Sequence, residues 1–366
     1  MVDYHDGTRA VRAGLPEPVP GQPFLPGPVF AGPYHLDPVA GPNAAPDAYG
    51  RESNPTLGRL EAAIAELEGA AGCLVFANGM AAVSAAMLAL TRPGDAVTVP
   101  ADGYFGVRLF ADGDLVPRGI AVRAILTDAD HDFTGVRLAV LETPANPSMA
   151  VCDIAALSAR AHAAGALVAV DNTMATPLGQ RPLDLGADLV VASGTKALTG
   201  HSDLLLGYLA SNDPDLLATL RSWRSHTGGL PGPFEAWLAH RSLGTLDLRL
   251  GRQSANAAAV HGMLAKRPEV TNLRWPGTDP VALRQMRRIP GVLAFELPSA
   301  DHVGAFLTHS ALVHPATSFG GLHTTADRRA QWGENVPEGL VRLSCGCEDV
   351  DDLLADLAAA LDRAAG

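Results

Sequence analysis

Ala187-Asp188-Leu189-Val190-Val191-Ala192-Ser193-Gly194-Thr195-Lys196 is the stretch whose reading decides the fold: an apolar run of strand length that ends in small hydroxyl residues and a lysine. Only two lysines, Lys196 and Lys266, occur in the 366 residues, and arginine supplies the rest of the positive side-chain charge apart from histidine. A lysine held at a strand end is therefore suited to chemistry that arginine cannot perform. A primary amine can lose its proton and form a Schiff base with a carbonyl, whereas a guanidinium with a pKa above about 12 stays charged.

A second run, Ala166-Leu167-Val168-Ala169-Val170, ends in Asp171-Asn172-Thr173 and places a carboxylate at the C-terminal edge of a buried parallel strand. A carboxylate there keeps a pyridine nitrogen protonated, so that the ring draws electrons from a substrate α-carbon. With Lys196 as the amine for an aldehyde, the pair points to pyridoxal 5'-phosphate (PLP). Taken singly, Asp171 also reads as a helix N-cap and Lys196 as a loop residue. Together they favour the cofactor.

Further segments bear on the same site. In chain order they are Tyr49-Gly50-Arg51 with Asn54-Pro55-Thr56, Asn78-Gly79-Met80-Ala81-Ala82, Tyr104, and Glu142-Thr143-Pro144-Ala145-Asn146-Pro147. After Asp171 and Lys196 come Gly200-His201-Ser202-Asp203, Arg241-Ser242-Leu243-Gly244-Thr245-Leu246, Ser318-Phe319-Gly320-Gly321, and Arg342-Leu343-Ser344-Cys345-Gly346. In content and order they resemble the PLP-dependent Cys/Met-metabolism enzymes of fold type I, which include cystathionine γ-lyase and cystathionine γ-synthase. The resemblance covers most of the chain.

The residues themselves explain part of this pattern. Gly79 and Met80 open an Ala-rich helical stretch whose first amides and dipole suit a phosphate dianion. The hydroxyls of Ser193 and Thr195 offer further hydrogen bonds to that phosphate. An arginine inside the strand-like Leu340-Val341-Arg342-Leu343-Ser344 needs an anionic partner to be buried. What the resemblance implies goes further. Tyr49 and Arg51 complete the phosphate site of a neighbouring subunit, Tyr104 stacks on the ring and donates a proton to a departing thiolate, and Asn146 lies near the cofactor's phenolic oxygen. Arg342 grips the substrate α-carboxylate with two hydrogen bonds, beside Ser318. Lys196 and Tyr104 are then the catalytic pair. Without the resemblance, Tyr104 reads as a loop aromatic and Asn146 as a turn residue.

Three positions depart from the common family pattern. Phe105 stands where glycine is usual, Val107 where threonine is, and His323 where an acidic residue helps choose the substrate. His323 either recognises a distal carboxylate or is a hydrogen-bonded loop residue.

Composition agrees with an enzyme of this kind. With 47% hydrophobic and 18% charged residues the chain supports a sizeable core, and a net charge of −12 with no basic cluster argues against nucleic acid. No stretch reads as a membrane span, and Met1-Val2-Asp3-Tyr4-His5-Asp6 lacks the features of a signal peptide, so a cytoplasmic location is expected. Cys73, Cys152, Cys345 and Cys347 read as free thiols, and the histidines show no metal-binding spacing. The expected architecture is α/β: residues 1–48 form an arm lying on a partner subunit, 49–230 a mainly parallel-sheet cofactor domain, and 231–366 a smaller α+β domain. The expected activity is γ-elimination on an L-amino acid, with L-cystathionine as substrate. A γ-synthase, a relative expelling another γ-group such as halide, and a non-catalytic PLP-binding protein are the alternatives. A homo-oligomer with shared sites, a dimer or the tetramer common in the family, is expected.

Overall fold

Short apolar runs become strands in the computed structural model, which describes residues 4–365; the first three residues of the N-terminal stretch read above lie outside the described residues. Seven strands, β1 (Gly72–Phe76), β2 (Ala96–Pro100), β3 (Ala121–Ile125), β4 (Leu138–Glu142), β5 (Leu167–Asp171), β6 (Leu189–Ser193) and β7 (Gly207–Ser211), form one sheet in the order β1-β7-β6-β5-β4-β2-β3. All contacts from β6 across to β3 are parallel, and β7 alone runs against the other strands. β2 and β4 are buried along their whole length, as strands covered on both faces must be.

Helices supply the cover. Gly79–Leu90 and Pro214–Thr227 pack one face through Val83, Met87 and Leu220 with Leu74, Val97 and Leu189. Pro55–Glu68 packs the other through Leu60 and Ile64 with Val75 and Val190. The division expected at 230 and 231 would assign the helix Pro233–Leu243 to the smaller layer. Its buried Ala236, Ala239 and Leu243 instead join the core of the larger sheet, so it belongs with that layer. Inside this core Glu68 is fully buried, and its carboxyl accepts the Tyr208 hydroxyl at 2.6 Å. Burial pushes Glu68 up to about 7.

A second sheet follows, with β8 (Thr271–Arg274), β9 (Val292–Glu296), β10 (His314–Pro315), β11 (Thr325–Arg328) and β12 (Leu340–Ser344) in the order β10-β11-β12-β9-β8. It is antiparallel except for β10 beside β11. The helix Val350–Ala364 packs on it by burying Leu353, Leu357, Ala360 and Leu361, one helical stripe.

The long helix Leu246–Leu264 joins the two layers, Leu250 lying in the first core and Val260 in the second. From it the buried Arg249 reaches back to the turn that follows Lys196. Its Nη1 donates to the Ala197 carbonyl at 2.7 Å, and its Nη2 donates to the carbonyls of Leu198 at 2.9 Å and Ser242 at 3.0 Å. Gly200, at φ 68°, leaves the space this guanidinium fills. Arg249→Leu leaves the carbonyls of Ala197 and Leu198 without a donor and is expected to cost about 3 kcal/mol. A urea-unfolding midpoint equal to the parent's would contradict this role.

Candidate active site

The C-terminal ends of the parallel strands are the place where open α/β sheets bind ligands. Here they open on a cavity of about 420 Å³, closed on the far side by the smaller sheet. The floor comes from Asn78, Gly79 and Met80, from Glu142 and Asn146 after β4, from Asp171 at the end of β5, and from Ser193, Thr195 and Lys196 after β6. Tyr104, Phe105 and Val107 form one wall, and Ser318, Arg329, Trp332 and Arg342 face them.

Lys196 Nζ donates to Ser318 Oγ at 2.7 Å. Burial, with Arg342 and Arg329 nearby, holds its ammonium down at about 8. Ser318 arrives there because its loop packs directly on the lysine turn. Gly320 has φ 78°, and a Cβ on it would lie 2.5 Å from the Ala197 nitrogen. Ser318 itself sits at φ 72°, with its carbonyl held by Arg342 Nη2 at 2.7 Å.

Arg342 is almost wholly buried. Its Nη1 donates to Asn146 Oδ1 at 2.9 Å, and Asp327, directly opposite it across β11 and β12, lies 3.4 Å from Nη2. Its buried Nε has no partner, and burial holds the guanidinium down at about 10.

Glu142 and Asp171 are opposite each other across β4 and β5, at the strand ends. Two buried carboxylates side by side resist double ionisation. Glu142 is pushed up to about 8 by burial and then by Asp171, although its two oxygens accept the backbone N–H of Tyr104 at 2.7 Å and of Asn146 at 2.8 Å. Burial raises Asp171 as well; Thr173 is its hydrogen-bonding partner, and no cation among the described residues relieves it. Glu142 thus ties Tyr104 and Asn146 to one point. Gly103 gives the carboxylate room, and the Tyr104 ring lies over Gly106, where a Cβ would come within 2.6 Å of Cε1.

This donor set fits PLP. An uncompensated carboxylate, Asp171, matches a protonated ring nitrogen, and Lys196 offers an amine to the aldehyde. At the phosphate end the Asn78 side chain takes the Ala81 amide at 2.9 Å, leaving the first-turn amides of Gly79 and Met80 for another acceptor, with Ser193 beside them. Thr195 differs from expectation. Its hydroxyl donates to the Leu206 carbonyl at 3.2 Å and accepts the Leu206 amide at 2.9 Å, so it braces the lysine turn rather than pointing a free proton at a phosphate.

Tyr49, Arg51 and His323 lie outside this cavity within one chain. Arg51 Nη1 donates to the Ser225 carbonyl at 2.5 Å and sits 5.5 Å from the centre of the half-exposed Tyr49 ring. His323 is exposed and meets the His314 ring edge-on at 6.0 Å. Conversely, Arg329, Trp332 and Glu142 line the cavity beyond the residues expected to hold cofactor or substrate. The signal in the sequence is Asp327-Arg328-Arg329-Ala330-Gln331-Trp332-Gly333-Glu334, a charge-rich run that begins in the last two residues of β11. Among the described residues no cluster of His, Cys, Asp and Glu is arranged to hold a metal, the four cysteines are free thiols, and no helix is long and apolar enough to cross a membrane.

Residues 35–362 match the family described as Cys/Met metabolism PLP-dependent enzyme. The chain belongs to that family. It is 54% identical over 371 residues to a Streptomyces coelicolor protein named "Putative cystathionine gamma-lyase", covering 98% of this chain and 94% of the relative. It is 37% identical to a cystathionine gamma-synthase of Mycobacterium tuberculosis, over 97% of this chain and 96% of the relative. Among solved structures, the cystathionine gamma synthase of Xanthomonas oryzae pv. oryzae in complex with cystathionine superposes with a TM-score of 0.94 at 32% identity, over 100% of this chain and 99% of that one. The family's PLP dependence agrees with the donor set.

An amine reacts only when deprotonated, so Lys196 in cofactor-free protein is expected to be methylated by formaldehyde and cyanoborohydride with a half-maximal rate near pH 8. An ordinary lysine needs a pH of about 10.4. Peptide mass spectrometry separates its product from that of the exposed Lys266; a Lys196 profile centred above about pH 10 would refute the lowered value.

Proposed function

We propose that this enzyme catalyses γ-elimination on an L-amino acid, cleaving L-cystathionine to cysteine, 2-oxobutanoate and ammonia. The observation that carries this reading is the Lys196 amine, lowered to about 8 and placed in one cavity with Arg342 and Asp171. When bound, PLP supplies an electron-withdrawing ring that stabilises negative charge at the substrate α-carbon. In this reading Gly79, Met80 and Ser193 hold its phosphate, Thr195 steadies the turn beneath it, Asp171 faces the ring nitrogen, Tyr104 covers the ring, and Asn146 lies at its edge.

Arg342 binds the α-carboxylate. Asn146 Oδ1 and the Ser318 carbonyl already orient its two Nη groups, so little freedom is lost on binding. Lys196 Nζ takes the proton from the α-carbon and serves the neighbouring β-carbon in turn, a task suited to an amine that titrates near pH 8. Tyr104 Oη delivers a proton to the departing sulfur.

The same reading makes 49–230 the core of the cofactor domain, gives the arm up to residue 48 and the pair Tyr49 and Arg51 to a neighbouring subunit, and places the enzyme in the cytoplasm, where free thiols persist. Phe24, Phe30 and Val39, 90%, 73% and 95% exposed, support a partner for the arm. The choice of lyase over synthase rests on the 54% identical Streptomyces coelicolor relative. The similarity to the Mycobacterium tuberculosis and Xanthomonas oryzae synthases favours a second reading, γ-replacement of an activated homoserine by cysteine.

Purified enzyme given L-cystathionine is expected to release 2-oxobutanoate, ammonia and thiol in equal amounts; untouched cystathionine, with turnover of activated homoserine and cysteine, selects the synthase. Lys196→Ala should abolish turnover. Arg342→Ala should raise KM by about 100-fold, the loss of a charged two-pronged contact, and unchanged kinetics in either variant would refute the assigned roles. Mixed oligomers of Arg51→Ala and Lys196→Ala subunits should regain activity that neither has alone. No recovery in verified mixed oligomers would remove the shared site.

A further inference from the structure

We infer that Trp332 is the wall that sets how large a γ-substituent the enzyme accepts, an inference that rests on the proposed γ-elimination reading. Trp332, half-exposed, lines the 420 Å³ cavity and also a second, solvent-open groove of about 370 Å³ between the helix Ala300–His309 and strands β10 and β11. Thr317 is its companion in both linings, so the two residues form the partition. Beyond that partition the groove offers the apolar side chains Val303, Leu307, Ala316 and Ala326, with the polar Arg328 and Gln331 beside them. A substrate anchored at Arg342 and Lys196 therefore meets a stop at Trp332, with a partly apolar groove behind it.

The stop is held in place. Trp332 Nε1 donates to both oxygens of Asp327, at 2.9 and 3.1 Å. Asp327 is only 2% exposed and is itself fixed by Arg329 Nη1 at 2.6 Å, Gln331 Nε2 at 2.7 Å and Arg342 Nη2 at 3.4 Å. Arg329 is tied in turn to Glu334. One buried carboxylate thus sets both the guanidinium at the reactive end and the indole at the far wall. The indole cannot swing aside without giving up its hydrogen bonds to a buried charge. The turn Arg329–Trp332 also ends at once in Gly333, at φ 74°, which leaves the tryptophan on a short, closed loop.

The experiment uses PLP-loaded enzyme and a series of L-homocysteine thioethers, S-methyl, S-ethyl, S-butyl and S-hexyl, all of which give 2-oxobutanoate. The parent is expected to lose kcat/KM as the chain lengthens. Trp332→Ala joins the cavity to the groove and should raise the S-hexyl to S-methyl ratio of kcat/KM by at least about tenfold, the scale on which a pocket discriminates chain length. Trp332→Phe keeps a ring at the wall and should retain the parent's order of preference. An unchanged ratio in folded Trp332→Ala overturns the inference. Trp332→Leu carries the same comparison if the alanine variant does not fold.

A binding series separates this from the functional reading. Thermal-melting shifts with L-norleucine, L-2-aminooctanoate and L-2-aminodecanoate, which have no γ-leaving group, should fall with length in the parent and persist in the truncated variants. If neither L-cystathionine nor any thioether is cleaved but the melting series behaves this way, the γ-elimination reading fails and the wall stands. If thioethers are cleaved and both series are indifferent to residue 332, the wall fails alone.

Discussion

A guanidinium buried between two layers is the constraint on which the rest of the arrangement depends. Arg249 is charged, nearly inaccessible, and has no carboxylate partner among the described residues; burial holds it down at about 10. It is tolerated because each of its three nitrogens donates to an oxygen: the carbonyls of Ala197, Leu198 and Ser242, and the Thr245 hydroxyl. Those oxygens belong to the lysine turn and to the junction of two helices. The geometry of the catalytic candidate and the course of the long connecting helix therefore hold each other in place.

Around that fixed turn the charges are arranged in two groups. Glu142 and Asp171 crowd each other at the sheet edge, while Lys196, Arg329 and Arg342 crowd each other across the cavity. Each group weakens its own members, raising the carboxyls and lowering the amine. Among the described residues, the carboxylates of Asp327 and Glu334 behind the wall relieve the cationic side, through Arg329 and Arg342. An amino-acid zwitterion, with an anionic head and an amine, is the kind of ligand that answers both groups at once.

Much of this was legible in the sequence because strand ends announce themselves. An apolar run followed by Asp171, or by Ser193-Gly194-Thr195-Lys196, puts the polar residue where the strand stops. Asn78 before Gly79 marks a helix start by the same logic, as a side chain that can cap it. What stayed hidden depends on long-range pairing. Arg342 stands opposite Asp327 only because β11 and β12 pair in that register, and a charge-rich segment such as Asp327–Glu334 reads as solvated until the fold buries its Asp327 and Arg329. The free hydroxyl expected of Thr195 is taken by Leu206, just before the reversed β7, a partner no local pattern signals. The helix Pro233–Leu243 looked like the opening of the second layer because a Gly- and Pro-rich break precedes it, yet its alanines fit the first core. Tyr49, Arg51 and His323 stand apart from the cavity of a single chain, where spacing alone cannot place them.

The buried Glu68 makes folding a proton-consuming event. In an unfolded chain this carboxyl would be ionised above about pH 4.3, whereas in the core it holds its proton up to about 7. Between those values the native chain binds more protons at this position than the unfolded one, so the contribution of Glu68 to stability is full in acid and declines as the solution approaches neutrality. The formal charge of −12 counts that carboxyl as ionised. The folded chain is accordingly less acidic in slightly acid solution than its composition suggests, and between about pH 4.3 and 7 it takes up a proton from the buffer as it forms its core.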